Sequence, residues 1–451
     1  LPGIAQELVV YDPPKEILYT HHNDDYTVKV RTLDGEWRDL YEYKVMVDMD
    51  HVQESSLVHF DFSGVVEVMV RKNNGIVNDA IIRPLSTGVK PRVNGNVILF
   101  TVHRPLKLSL EVNGDRFHNL HVFARQFHKQ TIDNNDPGVI YFGPGFHQPE
   151  KSGVYKIPSG KTVYVHGGAV VKGKFLIDSA SNVRIVGSGI VLQSERGVEI
   201  THSSNVEVNG IIFINPDHYT IFGGASTRLI IRDIMSFSSK GWSDGIDLMS
   251  CSDVIIDCVF MRNSDDCIAI YGHRWKYFGN ARNYEITNSA LWADVAHPTN
   301  IGIHGNAKHA GDTIENIVFS NIDIMEHDED DRNYQGCMAI TCSDNNFVRN
   351  VRYENIRIEN IQEGQLMNFR VVFNEKYSSA PGRAIENIQL RNISYSGDPV
   401  NPSVMQGYDK SRKISGIKIR NLVINKVRIR NPKKANILLG AFCDPPVIKG
   451  R

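Results

Sequence analysis

Two passages carry carboxylates in a pattern that turn chemistry does not explain. They are Trp242-Ser243-Asp244-Gly245-Ile246-Asp247-Leu248 and Asn263-Ser264-Asp265-Asp266-Cys267-Ile268-Ala269-Ile270. A single aspartate in such a setting usually caps a turn through its own backbone. An adjacent pair, with a third aspartate 21 residues earlier, asks for another account. If Asp244, Asp265 and Asp266 meet, their mutual repulsion leaves at least one protonated near neutrality while another stays ionised. A proton donor beside a proton acceptor suits general acid–base work, such as displacement by water at a glycosidic carbon.

Whether the three meet depends on the elements that carry them. From residue 182 a short phrase recurs: Asn182-Val183-Arg184-Ile185, Asn205-Val206-Glu207-Val208, Asp253-Val254-Ile255-Ile256, Asn316-Ile317-Val318-Phe319, Asn387-Ile388-Gln389-Leu390 and others between them. Successive starts lie 23, 23, 25, 30, 33, 34, 37 and 29 residues apart. A period of this size signals a solenoid. The units hold short β-branched runs without a 3.6-residue apolar pattern, so helical repeats fit poorly, and the Leu pattern of leucine-rich repeats is missing. A right-handed parallel β-helix fits, with Val and Ile in interior ladders and Asn and Gly at tight corners. Residues about one period apart then sit on adjacent coils, roughly 4.8 Å from each other. That spacing predicts a single patch for Asp244, Asp265 and Asp266. The longer units after Asp253 are expected to project loops that line a groove.

The first third has a different texture. Runs such as Tyr26-Thr27-Val28-Lys29-Val30 alternate polar and apolar residues, and Asp34-Gly35, Asn74-Gly75, Asn94-Gly95 and Asn113-Gly114 punctuate them. Period-2 runs with such turns predict an antiparallel β-sandwich. The all-β chain therefore divides into an N-terminal sandwich (1–136) and a β-helix (137–451), joined by a polar linker at 128–137. The sandwich is expected to cover an open end of the helix.

The aspartate passages resemble the polygalacturonase family of right-handed β-helix enzymes, glycoside hydrolase family 28, over about 139–421. Asn215-Pro216 lies where that family often has Asn-Ser-Pro, and Ile303-His304-Gly305 resembles its Gly-His-Gly. The resemblance implies that Asp265 is the general acid, that Asp244 and Asp266 activate water for an inverting displacement, and that His304 orients the acid. His273, just after the Asp-Asp strand, is the alternative histidine. The family's Arg-Ile-Lys phrase, which holds a uronate carboxylate, is absent: Met338 and Ile340 stand where its cations are expected. A sandwich preceding a β-helix also resembles the dextranase and isopullulanase family, glycoside hydrolase family 49, which implies neutral α-glucans. The expected activity is hydrolysis of a polysaccharide or its oligosaccharides, with a neutral α-linked sugar favoured. Galacturonan cleavage, a β-helix lyase or epimerase, and a non-catalytic carbohydrate binder are the alternatives.

Trp242, His273, Arg274, Trp275 and Lys308 lie in or beside the same coils and are candidate sugar contacts. No CxxC spacing occurs among the six cysteines, five of which lie in apolar runs as expected of core thiols. Neither a metal nor another cofactor is expected for the reaction; the acidic run Glu326 to Asp331 is the better candidate for a cation. With a net charge of −1, no basic excess points to nucleic acid, and no run of about 18 apolar residues points to a membrane. A chain that starts at Leu1 rather than Met is expected of a protein whose leader was removed. A secreted or periplasmic monomer is the expectation.

Overall fold

The computed structural model describes residues 6–127, 132–149 and 152–450. Part of the expected linker, 128–131, lies outside the described residues. Strands Glu7–Val9 to Asp115–Gln126 build a five-stranded and a six-stranded sheet. Their facing sides share one core, in which Val28, Val30, Val66 and Val68 meet Val58, Phe60, Leu108 and Val122. The sandwich is antiparallel with one exception: its two longest strands, Gln53–Ser63 and Asp115–Gln126, run parallel.

From Val139–Phe142 onward the strand pairings of the described residues are parallel apart from the C-terminal hairpin and a small hairpin at 273–278, as a right-handed β-helix. One sheet of 11 strands runs from Val154–Lys156 to Ile437–Leu439, and a larger sheet of 20 strands wraps the other sides. The coil interior is filled by ladders such as Ile221, Ile246 and Ile268, paired in register. Recurring asparagines explain the repeated phrase. Asn283, Asn316, Asn350 and Asn387 each adopt a left-handed backbone with φ between 53° and 62°. Each also donates its side-chain amide to the acid or amide one coil before, at 2.8–3.1 Å. Asparagine is thus selected twice, for a corner that most side chains resist and for a ladder that stitches coils together.

The sandwich does not cap an end of the helix. It lies along its flank, where Val45, Leu57 and Phe123 pack on Leu192, Ile214, Phe237, Phe260 and Trp292 from successive coils. Polar ties reinforce that contact. Arg83 bonds Glu326 at 2.7 Å and Glu359 at 2.8 Å. Arg262, wholly buried, forks onto Asp294 at 2.9 and 3.0 Å and donates to Asn119 of the sandwich at 2.7 Å. The coil that carries Asp265 is therefore tied to the sandwich through Arg262. Four cysteines (251, 267, 337, 342) are buried as expected, but Cys258 is exposed, at a left-handed corner where its side chain points outward.

Candidate active site

Register decides which side chains meet. Ile246 pairs with Ile268, which puts Asp244 opposite Asp266; the Gly245 N–H donates to the Asp266 carbonyl at 2.9 Å. Glycine is required at 245, since a Cβ there would lie 2.3 Å from the Cys267 carbonyl. On the next coil the Cys267 N–H donates to the His297 carbonyl at 2.8 Å. Asp244, Asp266 and His297 thus stack on three successive coils. Asp265 leaves this line at a backbone φ of 150°, a conformation that side chains rarely adopt. Two N–H groups hold its carboxyl, Trp242 on Oδ2 at 3.0 Å and Asp266 on Oδ1 at 3.1 Å. One oxygen each of Asp244, Asp265 and Asp266 lies within 4.8 Å of the others.

The three carboxyls differ in their surroundings. Burial works against the charge of Asp266, but His297 Nδ1 at 2.6 Å and the Asn300 amide at 2.7 Å hold it below the ordinary range. Burial and then the Asp266 charge push Asp265 up to about 6. Burial, with Asp247, Asp265 and Asp266 adding repulsion, raises Asp244 well above its ordinary value. The set therefore holds a carboxylate kept ionised beside two neighbours that keep their protons to higher pH.

The histidine at the cluster is His297, not His304. Its Nδ1 meets Asp266 and its Nε2 faces the Tyr334 carbonyl, an acceptor only, so both ring nitrogens must donate. Burial opposes that charge, yet Asp266 raises the imidazolium to about 9. His304 lies beyond the strand, edge-on to Tyr271 at 5.1 Å, and burial with the nearby Arg274 charge lowers it to about 3. The signal for His297 was in the sequence. Thr299-Asn300-Ile301 matches Ile268-Ala269-Ile270 strand for strand, and counting back three residues from Asn300 reaches His297. The same parity turns Asp247 and Asn300 to the outer face of the strands, where both are buried beside the cluster. Asp247 is fully buried, with Arg274 Nη1 3.8 Å away.

Among the expected sugar contacts, Trp242, Arg274 and Trp275 gather on one side of the aspartates, around His218 and Tyr219. His273 is turned toward Phe278, at 5.7 Å, and Lys308 is exposed on the loop after His304. The expected cation run at 326–331 is used otherwise, since Glu326 is taken by Arg83, Asn360 and Gln362. Among the described residues, the acidic side chains close enough to share a cation are Asp244, Asp265 and Asp266 themselves.

With Asp265 as donor and Asp266 as acceptor, kcat/KM should fall as pH rises through about 6, when Asp265 loses its proton. Below that it should hold until Asp266 is protonated, in the range under an ordinary carboxylate. A pH profile of kcat/KM with an alkaline limb several units higher would contradict the assignment of the donor.

Comparison with known proteins places the fold and the family. A stretch of 157 residues is 24% identical to "Probable endopolygalacturonase D" of Emericella nidulans; the match covers 34% of this chain and about a quarter (26%) of that relative's length. In fold, Dex49A from Penicillium minioluteum is similar across 99% of both chains, at TM-score 0.57 and 15% identity. A family 28 exopolygalacturonase of Yersinia enterocolitica is similar over 85% of this chain and 96% of its own, at TM-score 0.53 and 12% identity. The sequence profile of glycosyl hydrolases family 28 matches residues 162–437, more than half the chain and all of the coils that carry the aspartates. The chain belongs to glycosyl hydrolases family 28 and is a glycoside hydrolase.

Proposed function

We propose that this hydrolase cleaves α-linked glycosidic bonds of a polysaccharide or its oligosaccharides by inversion, with a neutral sugar at the cleavage subsite. The observation that carries the acid–base assignment is the buried Asp266–His297 pair, which keeps one carboxylate ionised beside two neighbours that burial and repulsion make harder to ionise. Asp265 gives its proton to the leaving oxygen as the glycosidic C–O bond breaks. Water attacks the anomeric carbon and gives its proton to Asp266, while Asp244, at the same register one coil earlier, orients the water.

Carboxylate spacing taken alone favours retention, since oxygens within 4.8 Å are closer than the roughly 6.5–9.5 Å usual in inverting enzymes. Inversion is supported instead by the family resemblance and by a pair, Asp244 and Asp266, placed to grip one water. Proton NMR of the first-formed product anomer decides the point. The opposite anomer to the substrate is expected, and net retention would refute the water-gripping role.

The preference for a neutral sugar is supported by the strand Met338–Cys342. Met338 and Ile340 point into the core, so the sequence comparison was out by one residue; the outward side chains are Ala339 and Thr341. Neither offers a cation, and a uronate in a dry site without one is strongly disfavoured. Galacturonan is the second reading. Two of the similar proteins are named polygalacturonases, and the following strand presents Arg370 in register with Thr341, its Nη1 on the Asn333 amide oxygen at 3.0 Å. Rates on dextran, pullulan and polygalacturonate separate the two readings. Action on such polymers also supports the inference that the chain works outside the cytoplasm.

A further inference from the structure

His218 is a half-buried imidazole that the acid–base chemistry leaves unused. Its Nδ1 accepts the Tyr219 N–H at 2.9 Å, so the proton of the neutral ring belongs on Nε2. Burial, then the Arg196 and Arg274 charges, lower its pKa to about 4, which leaves the ring neutral near pH 7. No partner for Nε2 occurs among the described residues. The two neighbours that complete the surface are unusual for their exposure. Trp242 is 62% exposed and Trp275 49%, and each ring centroid lies 6.2 Å from that of His218. Both tryptophans stand at left-handed corners, with φ of 64° and 55°. Two large apolar rings thus stand exposed beside the aspartates, against the usual drive to bury them. Behind Trp275 lies Tyr219, nearly parallel at 6.1 Å, which fixes the plane of the indole.

Most charges around this surface are paired, while Lys276 lies over the Tyr277 ring. Arg196 bonds Glu199 at 3.0 Å, Lys174 bonds Glu195 and Glu199, Lys240 pairs with Asp217, and Arg274 lies 3.8 Å from Asp247. A neutral ring finds apolar faces and one directed N–H donor here.

We propose that Trp242, His218 and Trp275 form a sugar subsite beside Asp265 that takes a neutral pyranose, its ring against indole and a hydroxyl accepting the His218 Nε2–H. The subsite adjoins the chemistry directly, because the Trp242 N–H is one of the two donors that hold the Asp265 carboxyl. A sugar packed on the Trp242 ring therefore also steadies the acid.

The proposal rests on the hydrolase reading for its role but can be tested apart from it. Full-length protein carrying Asp265→Asn is titrated, by tryptophan fluorescence, with oligosaccharides from dextran, pullulan and galactan, and separately with oligogalacturonides. A neutral oligosaccharide should bind and perturb the fluorescence. Trp275→Ala and His218→Ala should each weaken that binding by about tenfold or more, while His218→Gln, which can still donate, retains much of it. Trp242→Gly keeps the backbone N–H and the left-handed corner, so it tests the indole alone. Tighter binding of oligogalacturonides, no binding of any neutral sugar, or binding unchanged in both alanine variants would overturn the subsite. Binding that depends on these residues in a wild-type protein that releases no reducing ends would sink the hydrolase reading and leave the subsite standing.

Discussion

Replacing Asp265 by Asn should lower kcat by about 10²–10⁴-fold while leaving the fold and the affinity for substrate nearly unchanged. The amide is almost isosteric, and its single oxygen can still accept one of the two N–H bonds that hold the carboxyl, from Trp242 or from Asp266, so the local cost is about one hydrogen bond. What it cannot do is release a proton to the leaving oxygen. Asp265 is also the least protected of the three, drawn out of the strand line at φ 150°, so its loss disturbs few other contacts. Parallel measurements of kcat, KM and the thermal transition check this. A large drop in stability with unchanged kcat per folded molecule would mean that Asp265 is a corner residue and not the acid.

The second large effect concerns His297. His297→Ala should lower both activity and stability, because it leaves the buried Asp266 carboxylate without its cation. Removing one partner of a buried pair typically costs about 3–5 kcal/mol. Three hydrogen bonds are involved, from Nδ1 and the backbone N–H to Asp266 and from Nε2 to the Tyr334 carbonyl, and the backbone bond alone survives the change. With the cation gone, Asp266 should take up a proton more readily, so the acid limb of kcat/KM moves to higher pH. The stability difference between wild type and variant has its own pH window. The raised His297 contributes fully below its ordinary value near 6.5 and loses that contribution as pH rises through about 9. His304→Ala should move the limbs less, since among the described residues no aspartate hydrogen-bonds that ring and Asp266 reaches it only through its charge. Chemical denaturation and pH profiles of the three proteins distinguish these outcomes. An acid limb that moves with His304 and not with His297 would reverse the assignment.

The contrast between the two histidines shows how far the sequence could be read. The aspartates were legible because they sit within one coil period, and the pairing of Ile246 with Ile268 brings them together as that period implies. His304 drew notice because a short motif surrounds it. The coil between Asp266 and His304 carries an insertion, so distance along the chain no longer reports position on the helix. Strand parity does report it. Ile270, Ile301 and Ile340 face inward on three consecutive coils, which places His297 opposite Asp266 and turns Ala339 and Thr341 outward. Parity corrects both the histidine and the residues in place of the missing cations.

The position of the sandwich was not legible. Alternating runs announce two sheets, but the outer face that meets the helix, with Val45, Leu57 and Phe123, reads in sequence like any other half-buried strand. The partner surface on the helix is equally plain, a row of Leu, Ile and Phe on short strands. Only the buried Arg262, on a strand where an apolar residue is expected, hinted that a second body covers that side. His218 is not legible in the sequence for a similar reason: its neighbours Trp242 and Trp275 lie 24 and 57 residues away and meet it only in the fold.

The central claim is that Asp244, Asp265 and Asp266 hydrolyse a glycosidic bond. The most direct test incubates wild type and Asp265→Asn with dextran, pullulan, galactans and pectins, and follows reducing ends together with unsaturated, ultraviolet-absorbing ends. New reducing ends from the wild type alone, without unsaturated ends, are the predicted result. Unsaturated ends, or equal release by both proteins, would contradict it.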